Sequence, residues 1–179
     1  MSKSPEYSAR ALDCDIDPVA IKLREKDQIE LDMVGMTLRN SLAATKWTGS
    51  AIYFGKDTED VTAYLGMEYT EDSPVCWGIP WFLTDGRIFE RHAKSFTQAA
   101  KKWLNWHFQF VHLLTNNVYA KHTGAIKWLR MLGFTVDTSK TWMCNGYPSY
   151  HFWQYSHALP PTWHLGTSTI EEETDNVSR

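Results

Sequence analysis

Between Ala125 and Leu132 the apolar residues Ala125, Ile126, Trp128, Leu129 and Leu132 return at helical spacing, with Lys127 and Arg130 set among them. The pattern predicts a short helix with one face packed on a sheet. Gly133 ends it, because glycine takes a left-handed stop without a Cβ penalty, and Phe134 opens a β-prone run. Upstream, YSARAL (7–12) reads as a short strand. Asp13, Asp15 and Asp17 with Pro18 mark a helix start, and Ile21, Ile29, Leu31 and Val34 carry that helix to about Gly35. TLRNSLAATKW predicts a second helix from Thr37 to about Lys46. SAIYFG (50–55) and TAYLGMEYT (62–70) are β-rich and joined by polar residues as in a hairpin, whereas VCWGIPWFLT (75–84) is interrupted by Gly78 and Pro80, which predicts a bulge or an edge strand. The longest helix is expected from about Arg91 to Leu113, with Phe96, Ala99, Ala100, Trp103, Phe110 and Leu114 on its stripe.

LTNNVYA (114–120) reads as a strand before the helix already described, and FTVDTSK, TWMCNGY and SYHFWQYS supply two or three strands after it. The order β-α-α-β-β-β-α-β-α-β-β places the chain in the α/β class, with a central mixed, mostly antiparallel sheet flanked by helices. One domain is expected over 7–157, after a flexible 1–6. Residues 158–179, with a proline pair and an acidic end, read as an extended or disordered tail.

Charge and cysteine usage narrow the possible functions. The 18 basic and 21 acidic residues give a net charge of -3, so there is no general electrostatic attraction to nucleic acid or an anionic membrane. Cys14, Cys76 and Cys144 form no CxxC pair, which points away from a disulfide or zinc framework and toward a reducing compartment. The N-terminus carries no apolar signal core, and polar residues interrupt every apolar run well short of a membrane span.

Few clusters carry chemistry. Glu68 on a strand and Asp85 after one are candidate general bases if burial raises them, although an isolated carboxylate at a strand edge is usually solvated. His107 and His112 are five apart, off the spacing of a zinc helix, and no metal is expected. Arg91, Lys94, Lys101 and Lys102 make a modest basic face beside Trp103 and Trp106. On an acidic chain this face reads as a solvated or protein-docking surface, with no nucleic acid expected. Trp103 and Trp106, with Pro160, Pro161 and Trp163 in the tail, are candidate partner anchors.

The element order and the AIKWLRMLGF helix resemble the GCN5-related N-acetyltransferase (GNAT) fold. More narrowly, WFLTDGRIF, the basic-aromatic helix after it and KHTGAIKWLRMLGF resemble the small internal virion proteins of T-seven-type podophages. The acetyltransferase resemblance implies a coenzyme A pyrophosphate turn of the form Arg/Gln-x-x-Gly-x-Gly/Ala within residues 85–96. Starting at Arg87, its small positions fall on Glu90 and His92; starting at Arg91, they fall on Lys94 and Phe96. Neither register has a glycine. Arg87, Arg91, His92 and His122 are then the residues nearest to a bound acetyl-CoA. His122 stands at the family's usual Asn and Leu129 at its usual Tyr acid, and leucine donates no proton.

The virion resemblance implies a non-catalytic protein in the capsid interior, made in the bacterial cytoplasm. It would use no cofactor and would support the internal core and ejection machinery by contact with other virion proteins. The alternatives are an acetyl-CoA-dependent N-acetyltransferase acting on a phage or host protein amine, and a host-directed inhibitory binding protein.

Overall fold

The computed structural model describes residues 7–11, 21–45, 48–54, 60–70 and 77–156. Its elements are β1 (Tyr7–Ala11), α1 (Glu25–Met33), α2 (Leu38–Ala44), β2 (Ser50–Phe54), β3 (Val61–Tyr69), β4 (Trp77–Thr84), α3 (Arg87–His107), β5 (Leu113–Tyr119), α4 (Thr123–Leu132), β6 (Thr135–Cys144) and β7 (Tyr147–Tyr155). Type and order match the expected sequence of elements throughout.

The strands form one seven-stranded sheet in the order β1-β2-β3-β4-β5-β7-β6. Every neighbouring pair is antiparallel except β4 and β5, which run parallel and pair only at Trp77 with Leu113 and Gly78 with Leu114. Beyond those positions the two strands part. Alternation along the strands serves two layers. Ala51, Tyr53 and Tyr64 face Leu42 of α2, whereas Ile52, Ala63 and Leu65 face Ile88 and Phe96 of α3. Around β5 to β7, Leu114, Val118, Val136 and Phe152 pack with Leu104 of α3 and Ile126, Leu129 and Leu132 of α4.

Several boundaries differ from the expected ones. The strand with Gly78 and Pro80 is neither bulged nor at an edge. It is central and keeps an unbroken register with β3 through Met67 and Pro80. Proline is tolerated because it sits just past the last β4–β5 pair, where its missing N–H interrupts no ladder on that side.

Helix α1 begins at Glu25, well after Pro18. The Arg24 N–H donates to the Thr84 carbonyl, which holds residue 24 extended (ψ 150°) against the end of β4. Asp13, Asp15, Asp17 and Pro18 lie outside the described residues.

Helix α3 spans 87–107, starting after Gly86 at φ +97° and breaking locally at His92 (φ -137°). Its buried stripe is Ile88, Phe96, Ala100, Leu104 and His107. Ala99 and Phe110 are exposed, and Leu114 belongs to β5. The α4 stop at Gly133 (φ +105°) is as expected. The last strands are one hairpin turned by Asn145 and Gly146, both at positive φ, as a two-residue hairpin turn requires. No helix among the described residues is long and apolar enough to cross a membrane.

Candidate functional site

Where β4 and β5 separate, a cleft of about 700 Å³ opens through the sheet. Trp81 of β4 and Ser41 of α2 line it on one face, and Phe82, Phe89, Ala93 and Trp128 on the other; Asn116 and Val118 of β5 form the far wall. Asn116 reaches across the gap, its side-chain amide donating to the Pro80 carbonyl at 3.0 Å. The aromatic side is close-set, with Trp128 stacked on Phe96 at 5.8 Å and tilted against Phe82 at 4.9 Å.

The polar end of the cleft comes from α1. Arg24, Asp27 and Glu30, spaced by three, fall along one side of the helix entry, and Asp27 is almost fully buried (1% exposed). Both Asp27 oxygens accept from the Arg24 guanidinium, at 2.5 and 2.9 Å. Burial nevertheless raises the Asp27 carboxyl, against the lowering effect of Arg24. Glu30 accepts the Tyr119 backbone N–H at 3.2 Å, and burial followed by the neighbouring Asp27 charge pushes it up to about 8. His122 caps α4, its Nδ1 accepting the Ala125 N–H at 3.2 Å, and its Nε2 lies 3.4 Å from the Arg24 Nη2 and 4.0 Å from Asp27 Oδ2. Burial, then the Arg24 charge, pushes its imidazole down to about 4.

Asp27, Glu30 and His122 offer ligand atoms within 4.8 Å of one another, so a metal ion is worth testing against them. They do not fit one. Arg24 already occupies both Asp27 oxygens, and one nitrogen of His122 and one oxygen of Glu30 hold backbone N–H groups. A guanidinium stands where the cation would.

The residues singled out by sequence part company here. Glu68, half-buried and opposite Ile79, lines the cleft and is raised by burial. Asp85 does not line it. Its carboxylate accepts from Thr62 Oγ1 at 2.7 Å, the Arg87 backbone N–H at 2.9 Å and the Arg87 Nε at 2.6 Å. Its carboxylate is engaged at the start of α3.

Arg87 also donates to Asp60 and to the Val61 carbonyl, and the hydrogen bond to Asp60, then that to Asp85, raises its pKa. Arg91 lies over Phe54 at 5.0 Å, and His92 sits between Tyr7 and Phe54. The break at His92 places the start of the straight part of α3 on the second small position of the turn register that begins at Arg87. Trp103 is half-buried, packs on the core and lines the cleft, whereas Trp106 is half exposed. Pro160, Pro161 and Trp163 lie outside the described residues.

Arg24, Asp27, Glu30 and Asn116 were not singled out by sequence. The available signal was the three-residue spacing of polar groups in a helix with few apolar residues to bury.

No family model matches the chain, and no curated protein matches it. Solved structures do. The NatC complex bound to a Gag peptide and CoA aligns at TM-score 0.59 and 10% identity over 84% of this chain and 99% of that one. A ribosomal-protein-S5-alanine acetyltransferase from Vibrio fischeri aligns at 0.56 and 13% over 89% and 98%. An aminoglycoside N(6′)-acetyltransferase from Legionella pneumophila aligns at 0.51 and 13% over 84% and 92%. The chain therefore has the GNAT acetyltransferase fold.

Proposed function

We propose that this chain uses the acetyltransferase fold without its reaction, as an internal virion protein that supports the capsid core by protein contact. The observation that carries the non-catalytic part is the start of α3. In the fold's usual chemistry, N–H groups at this helix terminus receive a pyrophosphate. Here the Gly86 N–H donates to Thr84 Oγ1 at 2.9 Å and the Arg87 N–H to the Asp85 carboxylate at 2.9 Å, so an internal anion already fills the seat. Like charges a few ångströms apart repel by on the order of 1 kcal/mol or more even in a high effective dielectric. The position of the usual acid is Leu129, a buried core residue. The virion part rests on the resemblance of WFLTDGRIF and KHTGAIKWLRMLGF to the podophage family.

Calorimetry against acetyl-CoA and CoA tests the reading, with a Glu90→Gly/His92→Gly variant as control for the turn. No binding up to millimolar ligand is the expected result, and sedimentation of the protein with purified virions is the companion observation. Micromolar binding by the unaltered chain would overturn the non-catalytic reading.

One observation favours a second reading. The cleft stays open at the β4–β5 gap and presents Glu68 and Glu30, both raised by burial, which is what a base for an amine requires. On that reading the chain is an acetyl-CoA-dependent N-acetyltransferase of a protein amine, its donor held in another cradle. Acetyl transfer to an amine with release of free thiol would establish it.

A further inference from the structure

The outward side of α3 is charged in one sense only. From Arg91 to His112 the chain holds no Asp or Glu, although acidic residues outnumber basic ones over its whole length by 21 to 18. Lys94, Lys101 and Lys102 are exposed, and no ion pair among the described residues includes them. Their charge is therefore uncompensated there and open to a carboxylate from outside.

The same side carries two large aromatic groups. Lys94, Gln98, Lys102, Trp106 and Phe110 follow one another at every fourth position and are all exposed, so they form one ridge along the helix and the turn that continues it. The ridge is basic at its start and aromatic at its end, where Trp106 is 50% exposed and Phe110 54%. Its basic and aromatic ends, Lys94 and Trp106, lie about 18 Å apart at a rise of 1.5 Å per residue, a span that five or six residues of extended chain cover.

The aromatic end is already rigid. The Trp106 and Phe110 rings stand edge-on at 4.9 Å, Trp106 meets the buried His107 ring at 4.8 Å, and Phe110 meets Tyr69 at 6.5 Å. Side chains fixed in this way lose little freedom on contact, which is the property of an interface anchor. Their edge-on setting also decides between two polyanions. A single-stranded nucleic acid uses ring faces in series as a stacking platform, whereas these rings turn edge to face against each other and suit the irregular side chains of a protein.

We propose that this ridge is the contact site for an acidic protein segment bearing apolar anchors, its carboxylates lying against Lys94, Lys101 and Lys102 and its apolar side chains against Trp106 and Phe110. The inference holds whether or not the cleft binds acetyl-CoA or the protein enters a virion.

The test titrates the full chain with a fluorescently labelled random copolymer of glutamate and tyrosine, and in parallel with polyglutamate and with single-stranded oligothymidylate. The copolymer is expected to bind in a salt-sensitive way and more tightly than either of the others. Lys94→Glu/Lys102→Glu and Trp106→Ser should each weaken it by about tenfold or more with unchanged urea midpoints, and Lys121→Glu/Lys127→Glu, the same change of charge at exposed sites off the ridge, should not. The proposal would be overturned by a full chain that leaves the copolymer unbound, by equal binding of polyglutamate, by tighter binding of oligothymidylate, or by an equal loss in the off-ridge variant. Self-association of the unaltered chain in sedimentation velocity, abolished by Trp106→Ser, would overturn it in favour of a second copy.

Discussion

The Asp85 carboxylate grips Arg87 twice, at the backbone N–H from 2.9 Å and at the guanidinium Nε from 2.6 Å. The same carboxylate takes the Thr62 hydroxyl of β3, so one side chain ties the end of β4, the start of α3 and the neighbouring strand.

Asp85→Ala should therefore destabilise the fold by about 1–2 kcal/mol, the worth of a helix cap with an added side-chain hydrogen bond. Urea unfolding checks this. A base at this position would instead show itself as lost turnover with stability unchanged.

Arg24 neutralises Asp27 in a buried place. Removing it as Arg24→Met leaves a buried carboxylate without its partner and should cost roughly 3–5 kcal/mol, whereas Arg24→Met/Asp27→Leu should recover much of the loss. A double-mutant cycle in urea reads the difference directly. Equal destabilisation by the single and the double variant would refute the pairing argument.

Stability should peak near pH 6.5. His107 and His122, pushed by burial down to about 4, bind fewer protons folded than unfolded between pH 4 and 6.5, so stability rises with pH across that window. Glu30, pushed up to about 8 and facing Asp27, Arg24 and His122, binds more protons folded than unfolded from its ordinary 4.5 upward. Its contribution is present at low pH and lost as pH approaches 8. Glu30→Gln should flatten the fall above pH 6.5 and steepen the rise between pH 4.5 and 6.5, where Glu30 opposes the histidines; a decline above pH 6.5 that persists in the variant would contradict this.

Gly66 has no room for a side chain. A Cβ there would overlap the indole carbons of Trp81 and the Thr45 hydroxyl, both on the α2 face. Gly66→Ala should cost about 1–3 kcal/mol as overpacking, with a changed tryptophan fluorescence as Trp81 shifts. A variant as stable as the parent would show that Trp81 yields freely.

Most of the fold was legible because its signals are local. The α4 stripe, the Gly133 stop and the strand alternation each follow from a few neighbouring residues. The start of α1 was not, because it is set by a tertiary bond from Arg24 to Thr84 that no local pattern encodes. Pro80 misled for a related reason: its tolerance depends on where a distant strand stops pairing. In the site, Glu68 was found as a polar residue on a strand. Asp27 and Glu30 were hidden on a polar helix and acquire meaning only when His122, distant in sequence, closes over them.

The early end of the β4–β5 ladder gives the molecule a mechanical character as well as a cavity. Strands β1 to β4 and strands β5 to β7 act as two plates sharing a short seam, and α1 is the brace between them, fastened to one at Thr84 and to the other at Tyr119. Across the gap itself Asn116 ties β5 to Pro80, and the nine-residue helix holds the second plate at two points, through the Glu30 carboxyl at Tyr119 and through the Asp32 carbonyl, which accepts from the Asn145 side-chain amide at 2.8 Å.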